Sequence, residues 1–163
     1  ITNIPENAFS RCTKLSGVSL PESLTLLDAT CFAWCASLKE VYLPKNLKAI
    51  YTFVFDSCPL TNVVIPASVV ELRERSFGSM PNTLTVTFEN REELPEIHRN
   101  AFQYSNTVIF RVPWTKEQHE AKFTGEYSNG STIYSRDPFF GAGEGSVIQF
   151  IDEQGNIIEE MFK

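Results

Sequence analysis

The sequence has few of the residues that usually mark a metal site, and it has no stretch that resembles a membrane span. Its 163 residues include only two histidines and four cysteines. No two cysteines form a Cys-x-x-Cys pair and no histidine lies beside one, so the pattern does not indicate zinc binding. No apolar run approaches the ~20 residues that a membrane-spanning helix needs. We therefore expect no metal, no other cofactor and no insertion into a membrane.

Positive charge is also scarce. The chain has 14 lysines and arginines against 20 aspartates and glutamates, which gives a net charge of -6. An acidic surface repels the phosphate groups of nucleic acids, so we expect no nucleic-acid partner. The chain has no signal peptide and begins at Ile1 inside a repeat. We expect it to be a processed or trimmed piece of a longer protein.

A repeat of 22–23 residues runs through most of the sequence. Each unit has two apolar residues two positions apart, such as Val18 and Leu20, which share one face of a strand. A proline follows in most units and ends the strand, because proline cannot donate to the ladder. One unit cannot bury its apolar residues alone, so the units must stack around a shared core. The fixed step predicts phenylalanines one above another, at Phe9, Phe32, Phe55, Phe77 and Phe102.

The units follow the pattern I-x-x-I-x-x-x-A-F-x-x-C-x-x-L-x-x-V-x-L-P and resemble the BspA-like leucine-rich repeats over residues 1–113. The resemblance implies an α/β solenoid, a right-handed superhelix whose short strands form one parallel sheet. Turns or short helices would form the other face. Beyond the repeats, the residues themselves predict a C-terminal helix cap and a β-hairpin. Members of that family are mostly secreted or cell-surface proteins of bacteria and some protists. Their described roles are adhesion and binding, and the motif contains no catalytic residue.

The sequence divides into three predicted segments. The solenoid has about five units, at residues 1–23, 24–46, 47–68, 69–93 and 94–113. Residues 114–136 form a cap around a short amphipathic helix with apolar contacts from Trp114, Ala121 and Phe123. Residues 137–163 combine a glycine-rich joint with a β-hairpin, in which Gly155 suits the left-handed position of the turn. The fourth and fifth units depart from the motif, which leaves the register after Met80 open.

Three of the four cysteines, Cys12, Cys35 and Cys58, occupy one position of the repeat. We interpret them as a column of buried thiols, because free cysteine often behaves as a small hydrophobic residue. Cys31 takes the small position before Phe32. Disulfides remain an alternative that suits a secreted protein, so the redox state of the four residues stays open.

Two surfaces are candidate binding sites. On the outward face of the strands, Tyr42 and Arg111 are the only large side chains. On the turns, Trp34, Tyr51 and Phe53 occupy positions that hold polar or charged residues in other units. These three aromatic residues would form one exposed apolar patch, a typical anchor of an interface. The alternative is that the rings fold over the turn or lie under the C-terminal tail.

The sequence offers no catalytic constellation. His98 and His119 have no cysteine, aspartate or second histidine at ligand or triad spacing, so we expect both to be solvated surface residues. We therefore predict a non-catalytic module that binds a protein or a glycan, outside the cell or at its surface. The alternative is a structural component of a larger assembly, such as a multidomain spacer or a virion-associated protein. Self-association through the C-terminal hairpin is a further expectation, since an isolated hairpin must pack on something.

Overall fold

The computed structural model describes residues 1–123, 126–128, 133–135, 137, 139 and 141–162. Within the cap segment the turn residues predict a loop at residues 124–132, and most of it lies outside the described residues. The chain forms a β-solenoid of about five turns with one short helix, which confirms the predicted fold. The boundaries of the three predicted segments remain predictions.

The strands predicted from the apolar pairs lie along one side of the solenoid and pair in parallel, because their alternate side chains point into the core. They form a separate pair, β2 (Gly17–Ser19) with β4 (Glu40–Tyr42), and a sheet that contains β6 (Asn62–Ile65), β8 (Leu84–Phe88) and β10 (Val108–Val112). In β6 the burial alternates along the strand, with Val63 and Ile65 inside. Val18 pairs with Val41 and Val63 with Val86, which is the register that the repeat predicts.

A second parallel ladder was not predicted. It consists of two-residue strands at the start of each turn, namely β1 (Asn3–Ile4), β3 (Leu26–Leu27), β5 (Ala49–Ile50), β7 (Glu71–Leu72) and β9 (Glu96–Ile97). The remaining part of each repeat is a series of tight turns, with none of the short helices that were the alternative within the described repeats. Backbone hydrogen bonds join these turns, as where the Phe9 N–H donates to the Cys31 carbonyl over 2.8 Å.

The phenylalanines of the five turns form one stack. Ring centroids lie 5.3 Å apart for Phe9 and Phe32, 5.6 Å for Phe32 and Phe55, and 5.3 Å for Phe55 and Phe77. Phe102 follows Phe77 at 5.7 Å. The register therefore continues beyond Met80, although the motif weakens there.

The end of the solenoid is closed by a helix, α1 (Lys116–Phe123). Thr115 begins it, since its Oγ1 accepts from the Gln118 N–H and its own N–H donates to Gln118 Oε1. Trp114 and Phe123 are buried, as predicted, but Ala121 is exposed. That part of the prediction was wrong because His119, not Ala121, faces the core.

The C-terminal hairpin continues the sheet of the solenoid. Its strands are β13 (Val147–Ile151) and β14 (Ile157–Phe162), and β13 pairs in parallel with β10. Gly155 in the turn has the expected positive φ, 84°. Gly143 packs on the fifth turn so closely that an added Cβ would lie 2.7 Å from the Ser105 carbonyl oxygen. A separate pair, β11 (Glu126–Ser128) and β12 (Ile133–Ser135), is antiparallel.

Within the described residues, no helix has the length and apolar character of a membrane span.

Candidate functional site

The two candidate residues on the sheet lie in one row of outward side chains. The ladders align Val64, Thr87 and Arg111, and Tyr42 takes the equivalent place in β4. Two strands separate Tyr42 from Arg111, so their backbones are about 14 Å apart at the usual strand spacing. Tyr42 is 66% exposed and free of neighbouring large side chains in this row.

Arg111 belongs to a polar chain that crosses three strands. Its Nε donates to Gln149 Oε1 over 3.2 Å, and Gln149 Nε2 donates to Glu160 Oε1 over 2.8 Å. The guanidinium is therefore oriented along the sheet towards the hairpin, away from Tyr42. The sheet face brings its two candidates into one row but not into contact.

The three aromatic candidates on the turns each lie under an arginine from a neighbouring turn. The guanidinium carbon of Arg11 is 5.3 Å from the ring centroid of Trp34, which is 39% exposed. Arg73 lies 3.8 Å above Tyr51, whose side chain is half-buried. Such stacking contributes about 0.5–1 kcal/mol at exposed sites and fixes the orientation of the ring.

Phe53 and Tyr104 share one arginine, and Tyr104 was not among the predicted residues. Arg75 lies 4.8 Å from the Phe53 ring centroid and 5.2 Å from that of Tyr104. Tyr104 is 69% exposed and occupies the repeat position of Trp34 in the fifth turn. The signal that would have found it is this shared position, which was obscured by the looser fifth unit.

A buried carboxylate fixes Arg75. Asp56 Oδ1 lies 2.9 Å from Arg75 Nη2, and the Asp56 side chain is only 2% exposed. Arg75 Nη2 also donates to Ser79 Oγ over 2.6 Å. Gly78 makes room for this pair, because a Cβ there would lie 2.6 Å from Asp56 Oδ1. The arginine between the two rings is therefore held from the core side.

The aromatic residues on the turns have an unusual backbone. Trp34, Phe53 and Tyr104 have φ values of 59°, 60° and 63°, in the left-handed region that glycine and asparagine adopt most easily. For other residues this conformation costs on the order of 1–2 kcal/mol each. It recurs at two positions of the repeat, because the turn geometry requires it there. The other non-glycine residues in these two columns are Asn7, Arg11, Thr30, Ser57, Arg75 and Ser79.

The exposed patch predicted for Trp34, Tyr51 and Phe53 therefore has a different character. Trp34 is exposed, whereas Tyr51 and Phe53 are half-buried, and no ring–ring contact joins the three within the described residues. We call the surface formed by these three residues, Tyr104 and their arginines the aromatic–arginine surface. It is a row of separate rings, each with its own guanidinium.

The cysteine column has a function in the fold beyond filling space. Cys35 Sγ lies 3.1 Å from the Phe9 carbonyl oxygen, and Cys58 Sγ lies 3.1 Å from that of Phe32, so each thiol donates to the preceding turn. All four cysteines are free. Burial raises the pKa of Cys58 to about 12, and that of Cys31 likewise to about 12. Both thiols therefore stay protonated at neutral pH.

The first cysteine departs from the predicted column. Cys12 lies in the first of the described turns and is exposed, whereas Cys35 and Cys58 are buried. Ser105 continues the column in the fifth turn, where its Oγ donates to the Phe77 carbonyl over 2.9 Å. Cys35, Cys58 and Ser105 thus donate a hydrogen bond from this position, whereas the buried Met80 fills it in the fourth turn.

His119 is not the solvated residue that we expected. It is 1% exposed and its ring stacks on Phe139, with centroids 5.5 Å apart. Trp114 Nε1 donates to His119 Nδ1 over 3.4 Å. His98 is exposed, as expected, and its Nδ1 accepts from the Asn100 N–H. Across the described ranges, no group of three or more histidine, cysteine, aspartate or glutamate side chains is arranged to hold a metal ion.

A groove of about 390 Å³ lies beside Tyr51, between the second ladder and the turns. Glu71, Glu74 and Glu96 line it together with Arg73. Arg73 pairs with Glu71 at 2.8 Å, and Lys122 of α1 pairs with Glu96 at 2.8 Å. Three of these charged residues, Arg73, Glu71 and Glu96, are therefore engaged in ion pairs within the chain.

The family comparison agrees with this architecture. A family model described as "BspA type Leucine rich repeat region" matches residues 2–125 with six copies. A solved leucine-rich repeat protein from Bacteroides ovatus ATCC 8483 aligns at 17% identity with a TM-score of 0.44. The alignment covers 69% of this chain but only 37% of that protein, so the chain spans little more than a third of its length. No curated protein matches the sequence.

Proposed function

Since this chain belongs to the BspA-type leucine-rich repeat family, we propose that it is a non-catalytic module that binds a protein partner. Proteins of this fold are generally interaction modules rather than enzymes. The proposal places the binding site on the aromatic–arginine surface.

The backbone at the aromatic residues carries the proposal. The turns need a left-handed residue at these positions, and serine or asparagine satisfies that need in other turns. Trp34, Phe53 and Tyr104 are bulky residues on this unfavourable backbone, and they lie mainly outside the core. Folding therefore does not explain their identity, whereas binding does, because tryptophan, tyrosine and arginine are the commonest anchors of interfaces.

Preorganisation supports the same surface. Each ring is already oriented by a guanidinium, and Asp56 holds Arg75 from the core side. A partner that binds such fixed side chains loses less conformational freedom on association than one that must order them. The arginine N–H groups that remain beside the rings suit carbonyl and carboxylate oxygens of a protein.

The sheet face is the alternative position, and a glycan the alternative ligand. Tyr42 is exposed, with Glu40 on the same strand and the exposed Val64 at the neighbouring position of β6. A single exposed ring of this kind suits the apolar face of a sugar. Arg111 is already engaged with Gln149, which weakens this face as a site for a charged protein.

We also propose that the module acts outside the cell or at its surface, and that its source is bacterial, as the family relation implies. The cysteines are compatible with that location. Three of them are buried, and the raised pKa values of Cys31 and Cys58 slow their oxidation.

A paired screen tests the proposal. The chain would be screened against a random peptide display library and against a glycan array. Each ligand found would then be measured with two variants. In the first, Trp34→Asn and Phe53→Asn remove two rings but keep residues that tolerate the left-handed backbone. In the matched control, Tyr42→Ser and Arg111→Ser remove the two large side chains of the sheet face.

We expect peptide ligands whose affinity falls at least ~10-fold in the Trp34 and Phe53 variant and stays within about threefold in the control. Ligands that depend on Tyr42 and Arg111 instead would move the site to the sheet. Glycan ligands without peptide ligands would overturn the choice of a protein partner.

A further inference from the structure

The hairpin strand β14 is the exposed edge of the solenoid sheet. The sheet order is β14-β13-β10-β8-β6, so β14 has a strand on one side only. It is six residues long, the longest strand in the described part of the chain. Five of its six residues are exposed, including Ile158 at 65% and Phe162 at 72%. A long edge with exposed apolar side chains is a template for pairing with another strand.

This edge is held in place by the solenoid. Ile148 and Phe150 of β13 are buried in the core, and β13 pairs with β10 along four residues. Two contacts fix β14 itself. Lys116 Nζ of α1 lies 3.1 Å from Glu159 Oε1, and Gln149 Nε2 donates to Glu160 Oε1 over 2.8 Å. The strand therefore offers a preformed surface, which lowers the cost of adding another strand.

The charges of β14 determine which strands can pair with it. Glu159 and Glu160 are adjacent, so they point to opposite faces of the sheet, and both remain exposed. A strand added beside β14 would thus meet a carboxylate on each face. Apolar neighbours accompany them, with Met161 on the face of Glu159 and Phe162 on the opposite face. Opposite charges in directly facing positions stabilise a strand pair, and like charges destabilise it.

A second copy of the chain fits this edge poorly. Any antiparallel pairing of two β14 strands over five or more residues places Glu159 or Glu160 opposite a glutamate of the other copy. Parallel pairing of the same length does so too. The net charge of -6 adds repulsion at longer range.

We propose that β14 binds an extended basic segment of a partner protein by strand addition. The segment has lysine or arginine opposite Glu159 and Glu160 and apolar residues opposite Ile158 and Phe162. This site is separate from the aromatic–arginine surface, so either proposal can fail without the other.

Synthetic peptides test the proposal on the whole chain. The probe is a fluorescein-labelled peptide of eight residues, Val-Lys-Lys-Val-Val-Lys-Lys-Val, whose adjacent lysines can face Glu159 and Glu160 while valines face Ile158 and Phe162. One control replaces lysine by glutamate. A second keeps the lysines but is N-methylated at alternate amides, so it has the same charge and cannot complete a ladder. Fluorescence anisotropy measures affinity, and hydrogen exchange measures protection of the β14 amides.

We expect saturable binding of the basic peptide, and binding of both control peptides at least ~10-fold weaker. Glu160→Lys should weaken the basic peptide at least ~10-fold and improve binding of the acidic one. Glu153→Lys in the hairpin turn is the matched control with the same change of charge off the strand, and it should alter affinity by less than about threefold. The Trp34→Asn and Phe53→Asn variant should bind like the parent chain.

Three results would overturn the proposal. The first is an absence of saturable binding. The second is equal binding of the N-methylated peptide or equal loss in Glu153→Lys, which would indicate general charge attraction. The third is a dimer of the chain alone in sedimentation, with protected β14 amides, which would identify a second copy as the occupant.

Discussion

The phenylalanines inside the solenoid and the aromatic residues on its turns belong to the same repeat, but their surroundings are opposite. The inner rings recur in every turn, and from Phe32 to Phe102 they are fully buried. The outer rings occur in some turns only and are covered by arginines, and three of them, Trp34, Phe53 and Tyr104, lie on a left-handed backbone. In the next turn, Ser57 occupies the position of Trp34, whereas Phe55 occupies the position of Phe32.

This difference between inner and outer rings shows which residues the fold requires. An inner ring is the packing partner of the next one, so a change in one turn leaves a cavity that two neighbours share. An outer position requires only a backbone conformation, and many side chains satisfy it at similar cost. The bulky residues found there are the ones that the proposed binding site uses.

Phe55→Ala should have the largest effect. Phe55 is fully buried between Phe32 and Phe77, so its removal leaves a cavity in the middle of the stack. We expect the free energy of unfolding, measured with urea, to fall by about 3–5 kcal/mol. Tyr104→Ala is the matched control and should cost less than about 1 kcal/mol. Equal losses of stability in the two variants would contradict the distinction between inner and outer rings.

Gly78→Ala should have an intermediate effect, because it acts on the link between the core and the outer rings. The new Cβ would lie 2.6 Å from Asp56 Oδ1 and 2.9 Å from the Arg75 Cβ, so the buried ion pair must shift. We expect a loss of about 1–3 kcal/mol in the same urea measurement. At Gly17 the nearest atom would be 3.7 Å away, so Gly17→Ala should leave stability nearly unchanged. A harmless Gly78→Ala would show that Asp56 does not hold Arg75 in place.

Cys58→Ala should cost about 1–2 kcal/mol, since it removes both volume and the hydrogen bond to the Phe32 carbonyl. Cys58→Ser should cost less, because Ser105 already makes the equivalent bond in the fifth turn. Thermal unfolding of the two variants, compared with the parent chain, measures the difference. Should serine prove the worse replacement, the column would consist of apolar residues and the donated hydrogen bond would be irrelevant.

Much of the fold was predictable because it depends on repetition. The step of 22–23 residues predicts the positions of the stacked phenylalanines and of β2, β4, β6, β8 and β10, because each turn repeats the same apolar pattern. The ladder that begins each turn was not predictable. Its strands, such as Leu26–Leu27, are two residues long, which is too short for an alternating pattern to appear.

The site was predictable only in part. Trp34, Tyr51 and Phe53 stand out because other units have polar residues at their positions. The left-handed backbone leaves no trace at Trp34 and Phe53, because neither residue is the glycine or asparagine that usually indicates it.

The burial of His119 depends on Phe139, which is 20 positions away and lies outside the repeat. Contacts of that kind are set by tertiary packing, and no local pattern contains them.

The central claim is that the outer aromatic residues do not stabilise the fold. The variant with the smallest expected effect on stability tests this claim most directly. Trp34→Asn and Phe53→Asn together remove two arginine–ring contacts, at about 0.5–1 kcal/mol each. They also replace two bulky residues on a left-handed backbone by asparagine, which adopts that conformation more easily. This should raise the free energy of unfolding by a similar amount. We expect the free energy of unfolding of this double variant to stay within about 1 kcal/mol of the parent chain, or to exceed it. A loss of more than about 2 kcal/mol would show that the two rings belong to the core and would contradict the account.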